Sequence, residues 1–439
     1  MKQITKSLAL QEHAKARIPG LAQLLSKRPD RFSYGVWPGY SSAAKGATVW
    51  DMDGNRYLDM SIGGIGATVL GYQDPEVDAA VLAAIGRGVA SSLNCPEEVE
   101  LADLLCELHP WAEMVRFCRG GGEGMAIAVR IARAATGREK IAFCGYHGWH
   151  DWYLAANLGT ENALGEHLIS GLDPAGVPRS LAGTAFPFSY NDEAGLRAIV
   201  AEHGRDLAAI VMEPIRSSKP APGFLQAVRG YADACGAVLV VDEVSAGFRL
   251  NCGGAHLDLG LEPDVAVFSK ALGNGYPIAA IIGRGNVMEA AQRSFISSTN
   301  WTERVGPSAA VAMIRKFRGN EVHRHLIAVG EAVQAGWRML GERHGLRLDI
   351  GGIAPLSHFS FDLEEPLSAK AYYVQAMLDQ GILASTSFYS MYAHTMDDVQ
   401  AYLGASDRAF AEIARLATDG ALGAALRGDP AASGFKRLS

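Results

Sequence analysis

Two strand-end residues carry the strongest chemical signal in the chain: Asp242 in VVDEV and Lys270 in VFSK, 28 residues apart. That spacing fits one strand, a crossover and the next parallel strand. Both side chains then lie at the carboxyl edge of a parallel sheet, where open α/β folds bind ligands. Taken singly, each has an ordinary reading, a helix cap for the carboxylate and a solvated strand-end amine for the lysine. Together, and ahead of ALGNGYP, they describe an amine desolvated beside a buried acid. Such an amine can form a Schiff base with an aldehyde, and such a carboxylate can hold a pyridinium nitrogen protonated.

That pairing suits pyridoxal 5'-phosphate, whose phosphate also needs a cradle of donors. The run MVRFCR, GGGEG, MAIAVRIARAATGR reads as strand, glycine loop and helix, and backbone N–H groups at a helix N-terminus favour a dianion. A dinucleotide fingerprint fails in both registers, because the third glycine position falls on Met125 or Ile127. The GK[ST] of a nucleotide-triphosphate loop is missing as well. The next loop, CGYHGWHDW, supplies Tyr146, whose ring can stack on a flat heterocycle. His147, His150 and Asp151 could be metal ligands, but no third convergent cluster accompanies them and no metal is expected.

The elements that must position these residues follow from the apolar pattern. Helices are expected at 8–25, 75–85 and 96–108, with an antiparallel hairpin turning at Asp53-Gly54. Short apolar runs at 114–117, 140–144, 207–213, 237–244, 264–270 and 277–283 alternate with helical segments. Strands that are apolar on both faces belong in a mostly parallel sheet with helices on each side. Beyond Pro307 come helices at 308–318 and 321–345, short strands around 358–361 and a last helix at 397–416. The expected organisation is a helix and hairpin at 1–70, a large α/β domain at 71–304, and an α+β unit at 305–439. The two terminal pieces should pack together, since neither alone has enough apolar surface to stand independently.

The 439 residues carry a net charge of −7 with no long run of either sign, so a nucleic-acid footprint is excluded. Glycine is 50 of the 439, about 11% against a usual ~7%, and points to many tight turns and ligand loops. The N-terminus lacks the apolar stretch of a signal peptide, and no segment reads as a membrane span. Six cysteines, spread singly and without a CxxC pair, read as reduced thiols of a cytoplasmic protein.

Taken in order, GATVWDMDGNRYLDM, LGYQDPEV, PEEVELADLL, RGGGEG, TGREKI, YHGWHD, MEP, VVDEVSAGFR, VFSKALGNGYP, WTERVGPSAA and AHTMDD resemble the class III aminotransferases of PLP fold type I, above all the glutamate-1-semialdehyde aminomutase branch. The likeness runs over about residues 45 to 410. It implies an α/β fold with a mostly parallel central sheet, helices on both faces, and a smaller α+β domain built from both termini. Lys270 becomes the Schiff-base lysine and Asp242 the partner of the pyridine nitrogen. Val244 and Tyr146 would cover the two ring faces. Gly121 and Gly122 fall in the phosphate loop, Glu213 near the ring's O3' side, and Thr302 in the place of a phosphate-binding threonine given by the partner subunit of a homodimer.

Two departures from the family pattern stand out. Gly120 and Gly122 replace hydroxyl residues in the cradle, and WPGYSSAAKGATVW stands where the aminomutase branch has an SPVRxF segment that contributes an arginine to the substrate carboxylate site. The implied activity is amino transfer between a small-molecule donor and a keto or aldehyde acceptor. Its alternatives are an intramolecular aminomutase reaction and a non-catalytic binding protein on the same scaffold.

Overall fold

A run of residues without a polar side chain can be a strand only where both of its faces are covered. The computed structural model describes residues 3–168, 170–215 and 217–434 and supplies that cover in the unit Pro75–His323. Its sheet has seven strands among the described residues: β1 (Met114–Cys118), β2 (Lys140–Cys144), β3 (Ala185–Pro187), β4 (Leu207–Met212), β5 (Val238–Asp242), β6 (Val265–Phe268) and β7 (Ala279–Gly283). The spatial order is β1-β7-β6-β5-β4-β2-β3. Every residue of β4, β5, β6 and β7 is buried.

Strands β3, β2, β4, β5 and β6 run parallel, and β7 lies antiparallel to both β6 and β1. Cys144 pairs with Met212, Met212 with Val241, and Asp242 with Val267. The carboxyl ends of β2, β4, β5 and β6 are therefore level, and the loops that leave them meet at one edge. Cys118 pairs with Ala279, which brings the glycine run after β1 to the same edge.

The same unit holds α1 (Pro75–Gly86), α2 (Pro96–Leu108), α3 (Gly121–Thr136), α4 (Glu193–His203), α5 (Phe224–Cys235) and α6 (Val305–Gly319). Proline at the first turn of α2, with Glu97 and Glu98 behind it, presets φ and complements the positive helix end. Met125, Ala128, Ile131 and Ala132 of α3 pack on Val240, Val267 and Ile281 of the sheet. Gly137, in the left-handed conformation at φ 68°, ends α3.

Several expectations are corrected. The strand at 114–117 is an edge strand with alternating exposure, not one covered on both faces. The short β3 carries too little pattern to be read from sequence. The glycine run after β1 is not wholly a loop ahead of the helix: α3 begins at Gly121, so Gly121, Gly122 and Gly124 form its first turn and Gly120 is its extended N-cap. The first helix is Thr5–Lys15 and stops well short of residue 25, because Pro19-Gly20 is followed by a left-handed Leu21 at φ 66°. Finally, α6 packs on α1 and α2, so the large unit runs on to His323 rather than ending near 304.

The second unit joins the described residues up to Asp74 with those from Arg324 onward. Strands Ser41–Lys45, Thr48–Asp51 and Arg56–Met60 form an antiparallel meander, and Ile382–Ala384 adds to it in parallel. The turn at Asp53-Gly54 is longer than a two-residue hairpin turn, and Asp51 holds it by accepting the N–H groups of Asp53 and Asn55, each at 2.9 Å. Strands Leu348–Gly351, Leu356–Phe361 and Ser387–Tyr389 form a separate sheet. Its core contains Trp337, Phe359, Tyr373, Tyr402 and Phe410. The buried polar atoms there answer one another, with Trp337 Nε1 donating to Tyr402 Oη at 3.0 Å and Tyr373 Oη to Tyr402 Oη at 2.9 Å. No described helix is long and apolar enough to cross a membrane.

His109, just after α2, is fully buried and held neutral. Its Nδ1 donates to Leu105 O at 2.8 Å, and its Nε2 accepts the Gly254 N–H at 3.0 Å. Burial pushes its pKa down to about 4. Because the unfolded imidazole binds protons near pH 6.5, the unfolded state gains protons first on acidification. The stability tied to His109 is whole above that pH and lost as pH falls towards 4. It amounts to ~3 kcal/mol, since each tenfold change in proton affinity is worth about 1.36 kcal/mol. His109→Gln should flatten the fall of urea midpoint between pH 6.5 and 4 relative to wild type; parallel curves would assign the acid sensitivity to other groups.

Candidate active site

The level strand ends place Tyr146, Glu213, Asp242 and Lys270 just beyond β2, β4, β5 and β6. Asp242, the last residue of β5, is 4% exposed. Its Oδ2 lies 2.8 Å from His147 Nδ1, and its Oδ1 accepts the Val244 N–H at 2.9 Å. The other ring nitrogen of His147 is 3.1 Å from Cys144 O. A backbone carbonyl can only accept, so Nε2 donates there. A neutral imidazole then offers Nδ1 to Asp242 as an acceptor, and a charged one donates to it.

The neighbouring acid points the other way, as strand alternation requires. Glu243 is fully buried, and its Oε1 accepts from His256 N at 2.9 Å and from His256 Nδ1 at 2.7 Å. Trp111 Nε1 donates to His256 Nε2 at 3.0 Å, which fixes the proton on Nδ1.

Lys270 begins a short 3-10 turn directly after Ser269, with φ at +43°, a conformation that costs energy for a side chain with a Cβ. Ser269 Oγ donates to Ile278 O at 2.9 Å. Lys270 Nζ donates to Ser245 Oγ at 2.6 Å, so the amine reaches across from β6 to the turn that leaves β5.

Glycine packing closes the remaining space. A Cβ on Gly121 would sit 2.7 Å from Val244 Cγ1 and 3.5 Å from Ser269 Cβ. Gly122 and Gly148 press backbone to backbone: a Cβ on Gly148, itself at φ +96°, would come within 2.7 Å of Gly122 Cα. A Cβ on Gly145 would meet Glu213 Oε2 at 2.6 Å, where that oxygen accepts the Tyr146 N–H at 3.1 Å. Beside them, burial and the charge of Glu213 push the Cys144 thiol up to about 12.

The structure thus brings Gly121 to Val244, Val244 to Asp242, and Tyr146 to Glu213. Thr302 is exposed in a separate short turn, its hydroxyl donating to Thr299 O at 2.9 Å. His147 and His150 diverge, the first to Asp242 and the second to a stack on Trp149 at 4.6 Å. Sequence reasoning named neither His147 as the partner of Asp242 nor Ser245 as the partner of Lys270. The place of His147 at the end of β2 was the available signal, whereas Ser245 had only its three-residue distance from Asp242.

Pyridoxal 5'-phosphate fits these donors. The helix start at Gly121 has N–H groups without intrahelical acceptors, side-chain-free backbone lies against Val244, and a buried carboxylate stands near a reachable amine. The class-III aminotransferase family model matches residues 36–403. The chain is 31% identical to 3-aminobutyryl-CoA aminotransferase of Cloacimonas acidaminovorans (strain Evry), over 94% of this chain and 98% of that protein. It is 33% identical to glutamate-1-semialdehyde 2,1-aminomutase of Chloroflexus aurantiacus, over 85% and 90%. Among solved structures, the FumI protein of Sphingopyxis sp. MTA144, described as a PLP internal aldimine form, matches with a TM-score of 0.86 at 30% identity, over 97% of this chain and 99% of that one.

His147→Leu would remove one hydrogen-bond partner of a buried carboxylate. Leaving such a group short of a partner costs about 1–3 kcal/mol, so the urea midpoint of the variant should fall accordingly. An unchanged midpoint would mean that Asp242 finds another partner.

Proposed function

The chain belongs to the class-III aminotransferases, and from that membership we propose that Lys270 and Asp242 hold pyridoxal 5'-phosphate for transfer of an amino group between a small-molecule amine and a keto or aldehyde acceptor. The observation that carries these assignments is the amine of Lys270 and the buried carboxylate of Asp242 at the ends of neighbouring parallel strands. When bound, the cofactor supplies an electron sink for the charge left at the substrate carbon. Asp242, backed by His147, keeps the ring nitrogen protonated. Lys270 would bond the cofactor and, as a free base, would carry the proton removed from the substrate carbon and returned. Val244 and Tyr146 would cover the ring, Glu213 would stand by its oxygen, and the Gly121 and Gly122 N–H groups would hold the phosphate.

Transfer between two molecules is the preferred reading over intramolecular transfer. The segment that lacks the aminomutase-type arginine borders a cavity of about 210 Å³ within the terminal unit, lined by Phe32, Trp37, Tyr40, Tyr57 and Tyr72. Among the described residues that line it, Lys27 is the one cation and none carries a guanidinium, the group that grips a carboxylate in two-pronged fashion. We also place the enzyme in the cytoplasm, a reading supported by six unpaired cysteines.

Lys270→Ala should abolish both the borohydride-trapped bond to cofactor and turnover, and wild-type turnover should require an external keto acid. Trapping on a different lysine would sink the Lys270 assignment. Turnover without any acceptor would favour the aminomutase reaction.

A homodimer is the proposed assembly. Support comes from Leu82, Leu93, Val99 and Phe295, large apolar side chains that are 68%, 81%, 64% and 91% exposed in the Pro75–His323 unit and that a contact with a second copy would cover. Thr302 would reach the partner's phosphate. A hydrogen bond to a charged acceptor is worth roughly 1.5–3 kcal/mol, so Thr302→Ala should weaken cofactor retention on dilution by about tenfold to a hundredfold. Gly120→Ser should partly restore it, because Gly120 is extended at φ −133° and a Cβ there meets nothing within 4 Å. Equal retention by wild type and Thr302→Ala at every protein concentration would rule the clasp out.

A further inference from the structure

Ser245 lies on the turn that carries Asp242 and Val244, and its hydroxyl is the group to which Lys270 Nζ donates. The turn is rigid. Asp242 Oδ1 accepts the Val244 N–H, Gly247 N–H donates to Glu243 O at 2.8 Å, and the buried Arg249 donates from Nε to Ser245 O at 3.3 Å. The lysine stem is anchored at its other end by the left-handed backbone at Lys270 and the Ser269 to Ile278 hydrogen bond. Between these fixed points lie four rotatable carbon bonds.

A hydroxyl is the side-chain group suited to that gap in both charge states. Its oxygen accepts from an ammonium, and its proton can be given to the lone pair of a neutral amine. We propose that Ser245 is a positioning residue for Lys270, holding the free amine in one place whether or not it carries the transferred proton. The inference rests on the assignment of Lys270 as the cofactor-bonding amine. It predicts a selective effect. While Lys270 is covalently bound, the stem is tethered at both ends and the hydroxyl adds little. When the amine is free, the Ser245 hydroxyl restrains it.

Two steps use the free amine. In the first, Nζ attacks the aldehyde carbon, a C=N bond replaces C=O, and the oxygen leaves as water with the two amine hydrogens. In the second, the free amine removes a proton from the substrate carbon. Cofactor-free wild type, Ser245→Ala, Ser245→Val, Ser245→Thr and Lys270→Ala would be mixed with pyridoxal 5'-phosphate, quenched at intervals with borohydride, and the label on Lys270 read by peptide mass spectrometry. Loss of a net hydrogen bond predicts a rate lower by about three- to tenfold in the Ala and Val variants, with the same final extent. Thr, which matches Val in shape but keeps the hydroxyl, should stay within about twofold of wild type. In loaded enzyme, an amine deuterated at the transferring carbon should show a larger isotope effect on kcat in Ser245→Ala, with KM little changed.

Wild-type labelling rates and isotope effects in Ser245→Ala would overturn the proposal. So would equal losses in Thr and Val, which would assign the effect to packing. Labelling that survives in Lys270→Ala would instead overturn the assignment of the lysine, an outcome separate from the behaviour of the serine variants.

Discussion

A carboxylate taken out of water must have its lost hydrogen bonds replaced by protein donors, or its burial is costly. Asp242 has the Val244 N–H on one oxygen and His147 Nδ1 beside the other, and the rest of the site is arranged around them. Cys144 O takes the N–H of the second His147 nitrogen and so sets how the ring faces Asp242, and Cys144 O is where it is because β2 runs level with β4 and β5. Val244 can donate only because the chain turns at once after β5, and the same turn sets Ser245 opposite Lys270. One buried oxygen pair thus ties the ends of β2 and β5 together.

The glycines serve the same geometry from the other side. Side chains at Gly121 or Gly145 would drive into Val244 and Glu213, and one at Gly148 into the backbone of Gly122. Each contact lets a loop lie one side chain closer to its neighbour than any other residue allows. A helix start flush against Val244 exposes its N–H groups at the edge where the amine and carboxylate converge. Hydroxyl side chains, which the family pattern implies at positions 120 and 122, are not equally easy to introduce. Position 120 is open and extended, whereas a Cβ at 122 would touch Gly148 Cα at 3.4 Å.

Much of this was legible in the residues. Unbroken apolar runs such as LAAIVM and VLVVD, all buried in β4 and β5, can satisfy both faces only inside a covered sheet, so the α/β class and the edge holding Asp242 and Lys270 followed from pattern alone. The antiparallel sense of β7 did not, since burial on both faces looks the same in either direction. The three-residue β3 and the exposed alternation of β1 carried too weak a period. The partner of Asp242 was also hidden: HGWH offers two histidines, and only the fold decides that one turns inward to the acid while the other stacks on exposed Trp149. Ser245 was least visible, because a serine after a strand is ordinary until the opposing lysine is in place.

The adjacent acids Asp242 and Glu243 show why a single strand end needs two carboxylates. Alternation sends Asp242 to the ligand edge and Glu243 to the opposite face. There Glu243 accepts both the backbone and the ring N–H of His256, although its Oε2 is buried without a partner. The two hydrogen bonds that are made close the loop from 243 to 256 back onto its own start, and Trp111 holds His256 in the one tautomer that permits it. A loop so closed cannot swing Ser245 and Val244 away from the cleft. The second acid therefore faces away from the cleft and braces, from behind, the turn that carries Val244 and Ser245.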